Sequence, residues 1–115
     1  MIIGIGTDIV KIDRVKKDIA KRILSPQELD LYEGFSSESR KSEFLAGRFA
    51  VKEAIKKALP DYRGFHELFE LVILPDEFGK PILVQPQYEG WKVHLTISHE
   101  REYAIAFVVV EEIAL

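Results

Sequence analysis

The sequence predicts an α+β fold in which a small, antiparallel-rich sheet packs against helices. Three observations support this class. Strand-like apolar runs cluster in the second half of the chain, with one isolated run at the start. The residues between them carry helical periodicity and capping signals, and strands and helices do not alternate as repeated βαβ units would require. At 115 residues the chain suits one domain, residues 1–115, long enough to bury roughly two thirds of the surface its unfolded form exposes.

The first strand comes from "IIGIGTDIV", where Gly4 and Gly6 allow a close backbone approach or a bulge, and Asp8 falls near the strand end or the following turn. From there Ile12, Val15, Ile19 and Ile23 recur at helical spacing among mainly charged neighbours, which predicts a basic amphipathic helix. In "LSPQELDLY", Ser25 can cap a second helix, Pro26 suits its first position and Glu28 can close a capping box. "EGFSSESRK" reads as a turn before a longer helix from about Glu38 to Leu59. On that helix Phe44, Val51, Ile55 and Ala58 share one side, while Phe49, Glu53, Lys56 and Lys57 project toward the other. "PDYRGFH" reads as a loop. Four strands follow, "FELVILP", "PILVQ", "WKVHLTISH" and "YAIAFVVVEE", with "DEFGK" turning between the first two. No internal repeat, coiled-coil register or low-complexity tract interrupts this order.

Composition removes several classes of function. A hydrophobic fraction of 47% with 30% charged residues is ordinary for a soluble globular protein. The absence of cysteine excludes a disulfide framework, a thiol nucleophile and a cysteine-based zinc site, and fits a reducing compartment. The apolar opening is interrupted by Asp8 and preceded by no basic segment, so it does not read as a secretory signal, and "YAIAFVVV" is too short to span a bilayer. The expected location is cytoplasmic, with no membrane role. "GIGTD" continues wrongly for a dinucleotide fingerprint, no "GKS" or "GKT" follows a phosphate loop, and His66, His94 and His99 lack zinc-site spacing. Nucleic acid is not an expected partner, because "GWK" places only one isolated aromatic beside a base and the chain is acidic overall.

The net charge of −3 is unevenly distributed: residues 1–59 hold 12 basic and 9 acidic side chains, and residues 60–115 hold 4 and 10. The basic excess lies in "KIDRVKKDIAKR", Lys11 to Arg22, with six basic and two acidic residues. Such a patch can receive phosphate or an acidic protein surface, and a solvated helix face accounts for it equally.

Two acids stand out. Asp8 interrupts an apolar run beside two glycines, as either a turn-forming or a site carboxylate would. Glu53 sits off the apolar stripe of its helix, where Lys56 and Lys57 at i,i+3 and i,i+4 could form exposed ion pairs worth about 0.2–0.5 kcal/mol each. Taken together, the two carboxylates could hold a hard cation such as Mg²⁺, with water and phosphate oxygens completing its shell. Spacing alone does not bring them together. Ser98 and His99 are adjacent in "TISHE", but consecutive strand side chains face opposite ways, so they do not form a serine–histidine dyad. His99 reads either as a structural histidine or as a phosphate, ribose or acid/base contact at a strand end.

Taken together, "GIGTDIVKIDR", "FLAGRFAVKEAIKKAL", "GKP" and "LTISHEREYAIAFVVVE" closely resemble the holo-acyl-carrier-protein synthases, the short bacterial type of phosphopantetheinyl transferase, nearly from end to end. The resemblance implies the 4'-phosphopantetheinyl transferase fold. It also implies transfer of the 4'-phosphopantetheine arm of coenzyme A to a serine of apo acyl carrier protein, with release of adenosine 3',5'-bisphosphate, in support of fatty acid biosynthesis. By the same resemblance Asp8 and Glu53 would be catalytic and would ligate Mg²⁺, and Arg48, Lys57 and His99 would contact coenzyme A. Arg14 would face the acidic carrier protein, and the assembly would be a homotrimer with sites between subunits. Two other readings of the residues stay open: a carrier-binding protein without turnover, and a Mg²⁺-dependent hydrolase acting without a carrier.

Overall fold

A 21-residue helix lies across a three-stranded antiparallel sheet, and this one contact positions most of the polar residues singled out above. The computed structural model describes residues 1–60 and 64–113. Strand β1 (Ile2–Lys11) leads into two 3-10 turns (Ile12–Arg14 and Lys17–Ile19) and three helices, α1 (Ala20–Ile23), α2 (Pro26–Gly34) and α3 (Glu38–Ala58). After a 3-10 turn at Leu68–Glu70 come β2 (Val72–Pro75), β3 (Pro81–Gln85), β4 (Trp91–His99) and β5 (Tyr103–Glu112). The main sheet runs β1-β5-β4 with β5 in the middle, and β2 and β3 form a separate antiparallel pair.

Alternation in β5 explains why α3 settles where it does. Ala104, Ala106, Val108 and Val110 are buried, while Tyr103, Ile105 and Phe107 on the other face remain exposed. Across from the buried face, Ala50, Ala54 and Ala58 present short side chains at helical spacing, so the helix sits low on the sheet. Under it, Gly4 and Gly6 are obligatory. A Cβ at Gly4 would lie 1.8 Å from the carbonyl oxygen of Ala58, and one at Gly6 would lie 2.1 Å from that of Ala54. The β1–β5 register also shifts between Ile2 and Gly4, so this stretch combines a bulge with a close backbone approach.

Helix ends follow local chemistry. Ser25 and Glu28 make the reciprocal capping box of α2, with Pro26 in its first turn. Ser37 caps α3 through the Arg40 amide, and Pro60 follows immediately after Leu59, whose extended backbone closes the helix. The "DEFGK" turn is held by Asp76, whose carboxylate accepts from the Phe78 and Lys80 amides, with Gly79 at a φ of 85°.

Two stretches differ from the sequence-based expectation. Ile12 to Ile23 is not one amphipathic helix but two 3-10 turns and the four-residue α1. Ile12, Val15 and Ile23 are buried as their spacing predicts, yet the amide of Ile12 donates to the carbonyl of Glu102 at 2.8 Å and Lys16 is extended, so no continuous ladder forms. No side chain caps any of these short segments. Likewise "FELVILP" begins as a 3-10 turn and becomes a strand only at Val72. The Glu70 carboxylate accepts from the His66 and Glu67 amides and folds that start back on itself. Part of the "PDYRGFH" loop, residues 61–63, lies outside the described residues. Among the described residues no helix is long and apolar enough to cross a membrane.

Candidate active site

Asp8 sits on β1 opposite Ala106 and shares the helix-facing side of the sheet with Gly4 and Gly6. Its side chain is 18% exposed, and its Oδ1 accepts from Lys57 Nζ at 3.1 Å. The same ammonium donates to the Thr7 carbonyl at 2.9 Å, so Lys57 reaches from the last turn of α3 to two consecutive residues of β1. One helical turn earlier on α3 stands Glu53, 27% exposed, with Lys56 Nζ 3.7 Å from its Oε2. Glu53 and Lys57 are i,i+4 neighbours and therefore share a helix face. Asp8 is thus fastened to the α3 face that carries Glu53. Of the two neighbouring lysines, only Lys56 makes the local pair that periodicity suggested, while Lys57 crosses to β1.

The donor set fits a hard divalent cation. Both groups are carboxylates with part of their surface open, and among the described residues no cluster of three or more histidine, cysteine, aspartate or glutamate side chains forms. Two carboxylates leave the remaining octahedral positions to water and phosphate oxygens, which suits Mg²⁺ and does not suit a closed zinc site.

Arg48 on α3 and His99 at the end of β4 line one cavity of about 400 Å³ between that helix, the β2–β3 turn and the end of β4. Asp8 and Glu53 do not line it. Arg48 is buried, its guanidinium 4.4 Å above the centre of the Phe44 ring, with Nε donating to the Ile73 carbonyl at 3.2 Å. Burial draws its pKa down, and Glu28 opposes that shift. His99 places Nδ1 3.6 Å from Glu43 Oε2 and also borders an apolar depression with Ile9, Tyr103 and Ile105 on the outer sheet face. Glu43 lines both the Arg48 cavity and a larger groove of about 850 Å³, whose wall includes Lys16, Lys17 and Arg101. Arg14 is exposed on the 3-10 turn whose other two residues, Ile12 and Asp13, line that groove.

The support beneath Arg48 is legible in the sequence only in part: Lys52 reads as a residue that supports the helix or a substrate pocket and Glu28 as a cap, but not their pairing. Glu28 and Lys52 are both completely buried and paired. Glu28 Oε1 accepts from the Ser25 amide at 2.8 Å and from Lys52 Nζ, and its Oε2 accepts from the Ile73 amide at 3.1 Å while lying 3.5 Å from Arg48 Nε. Lys52 Nζ also donates to the Ile23 carbonyl at 2.7 Å. Burial pushes Lys52 down to about 8 against the pull of Glu28. One signal for Lys52 was available in the sequence: it lies one turn from Arg48 on α3, next to the apolar position Val51.

The residues matched by the family model described as "4'-phosphopantetheinyl transferase superfamily" run from 4 to 108, most of the chain. The chain belongs to that superfamily. Within it, similarity falls on the holo-(acyl-carrier-protein) synthases. The protein of that name from Staphylococcus carnosus is 45% identical over 97% of this chain and 99% of its own length. The crystal structure of the Bacillus anthracis protein, in complex with CoA (3',5'-ADP), is 38% identical with a TM-score of 0.81 and covers 99% of both chains. That of the Helicobacter pylori protein, in complex with coenzyme A, is 29% identical with a TM-score of 0.72, over 93% of this chain and 99% of its own.

Proposed function

We propose that this chain transfers the 4'-phosphopantetheine group of coenzyme A to a serine of apo acyl carrier protein, yielding the holo carrier and adenosine 3',5'-bisphosphate. The observation that carries this reading is the superfamily match across residues 4–108, joined to near full-length likeness to a structure in complex with CoA (3',5'-ADP). Asp8 and Glu53 are assigned as the catalytic carboxylates and as the residues that would hold Mg²⁺. When bound, Mg²⁺ supplies charge neutralisation at the pyrophosphate and at the departing phosphate.

The chain's own residues supply the rest. Lys57, already beside Asp8, adds a cation at the pyrophosphate end of the site, and Arg48 and His99 hold phosphate and nucleotide groups of coenzyme A in their shared cavity. The carrier serine oxygen forms a bond to the phosphorus that bears pantetheine. The anhydride P–O bond breaks, and its electron pair leaves on adenosine 3',5'-bisphosphate. The serine proton passes to Glu53 or to a water that Glu53 orients. Arg14, exposed beside the groove with Lys16 and Lys17, receives the acidic surface of the carrier and steers its approach.

We further propose a homotrimer with sites between subunits, in the cytoplasm. The outer face of the main sheet supports this assembly. Ile5 and Ile9 are each 61% exposed, and Phe107 and Ile105 are 46% and 44% exposed, forming an apolar surface that a lone soluble chain would leave in water. His99 borders the same face, so a neighbouring chain seated there would lie against the coenzyme site.

Intact-protein mass spectrometry tests the reaction. With coenzyme A, Mg²⁺ and an apo carrier protein, the carrier should gain the mass of one phosphopantetheine. Binding without any mass gain, or hydrolysis of coenzyme A with the carrier unmodified, would overturn the assignment.

A further inference from the structure

The buried Glu28 of α2 lies outside the chemistry described above, yet it accepts or pairs at four points: the Ser25 amide, Lys52 Nζ, the Ile73 amide and Arg48 Nε. Two of these concern Arg48. Glu28 Oε2 lies 3.5 Å from Arg48 Nε, and the same oxygen anchors the amide of Ile73, the residue whose carbonyl accepts from Arg48 Nε. With the Phe44 ring against its guanidinium, Arg48 is held from three sides at the wall of its cavity. A capping box at α2 would need only the Ser25 contact.

Charge adds a second reason. Glu28 carries one negative charge and serves two buried cations, Lys52 and Arg48, so the cluster keeps a net positive charge, with Arg48 as the member that lines the cavity. Without the carboxylate, two like charges one turn apart on α3 would repel each other in a poorly solvated place.

We infer that Glu28 is a positioning residue for coenzyme A: through Arg48 and Ile73 it holds the guanidinium where the phosphate groups of the donor bind. This rests on the reading that Arg48 contacts coenzyme A. The expected signature is specific to one substrate. Glu28→Gln should raise the KM for coenzyme A and the Kd for adenosine 3',5'-bisphosphate by about tenfold, while the KM for apo carrier moves by less than about twofold. A merely structural lesion would lower active enzyme without separating the two substrates.

A thermodynamic cycle with Arg48→Met distinguishes the outcomes. If Glu28 acts through Arg48, Glu28→Gln should add little to the KM for coenzyme A once Arg48 is gone. Equal increments with and without Arg48 would overturn the inference, as would an unchanged KM in Glu28→Gln. An Arg48→Met variant that binds coenzyme A like the unsubstituted protein would instead sink the reading of Arg48 itself. Should Glu28→Gln fail to fold, the doubly substituted Glu28→Leu, Lys52→Met protein removes the buried charge pair together and permits the same cycle. A folded double variant with an unaltered coenzyme A KM would also refute the role.

Discussion

At the scale of the residue, the two carboxylates should matter through charge and not through packing. Both are partly open to solvent and neither belongs to the apolar core clusters, so Asp8→Asn and Glu53→Gln keep shape while removing the charge that a cation needs. Each should lower transfer by about a hundredfold or more and leave the melting temperature within a few degrees. Carrier mass gain against time, followed at several Mg²⁺ concentrations, measures the first effect, and calorimetry the second. Turnover at the original rate would remove the residue from the proposed metal site. In Asp8→Asn, Lys57 also loses its ion pair but keeps the Thr7 carbonyl, so any stability change should stay small.

At the scale of the element, α2 is tied to α3 by a pair of opposite charges out of contact with water. Lys52→Met alone would leave Glu28 buried without its ammonium partner and should cost about 3–5 kcal/mol, read from urea unfolding. Replacing both, Glu28→Leu with Lys52→Met, should recover part of that loss, because the buried ammonium and carboxylate go together and only Arg48 stays inside, held by the Ile73 carbonyl and the Phe44 ring. A double variant as unstable as the single one would contradict this account. The pH dependence has a defined sign. Lys52 titrates at about 8 when folded against an ordinary 10.5, so between those values the unfolded chain holds more protons than the folded one. Relative to the double variant, the unsubstituted protein should therefore gain stability as pH rises from about 8 toward 10.5. A difference that stays flat or falls over that interval would show that the lysine is not depressed.

At the scale of the whole molecule, the exposed outer face would tie stability to assembly in the proposed trimer. If chains associate through it, the melting temperature should rise with protein concentration, and Phe107→Glu should shift the mass measured by light scattering toward that of one chain, with loss of transfer. A concentration-independent melting temperature and an unaltered mass would argue for another role for that surface. Much of this architecture was legible beforehand. The bounds of β4 and β5 follow directly from apolar runs between turn signals, and α3 is delimited by Ser37 and Pro60. Asp8 and Glu53 were visible because each departs from the apolar pattern around it. What local pattern could not convey was competition from afar. The Glu102 carbonyl takes the Ile12 amide and breaks the anticipated first helix, while Glu28, legible as a cap, draws on partners 24 and 45 residues away.

The glycines beneath α3 carry a practical consequence for anyone seeking a sturdier version of this protein. Replacing strand glycine with alanine is a common stabilising step, since it reduces the freedom of the unfolded chain by about 0.4–1 kcal/mol where the backbone tolerates the change. Here a single methyl at position 6 would meet the Ala54 carbonyl at 2.1 Å, and relief would come only by lifting the helix off the strand. Glu53 and Lys57 ride on that helix, whereas Asp8 stays on the strand. Gly6→Ala should therefore depress transfer further than its loss of melting temperature explains, a defect visible as a longer Asp8 to Lys57 separation in a crystal structure. Two absent side chains would act as the spacer of the proposed active site, so a residue with no functional group of its own would score as essential in a mutational screen.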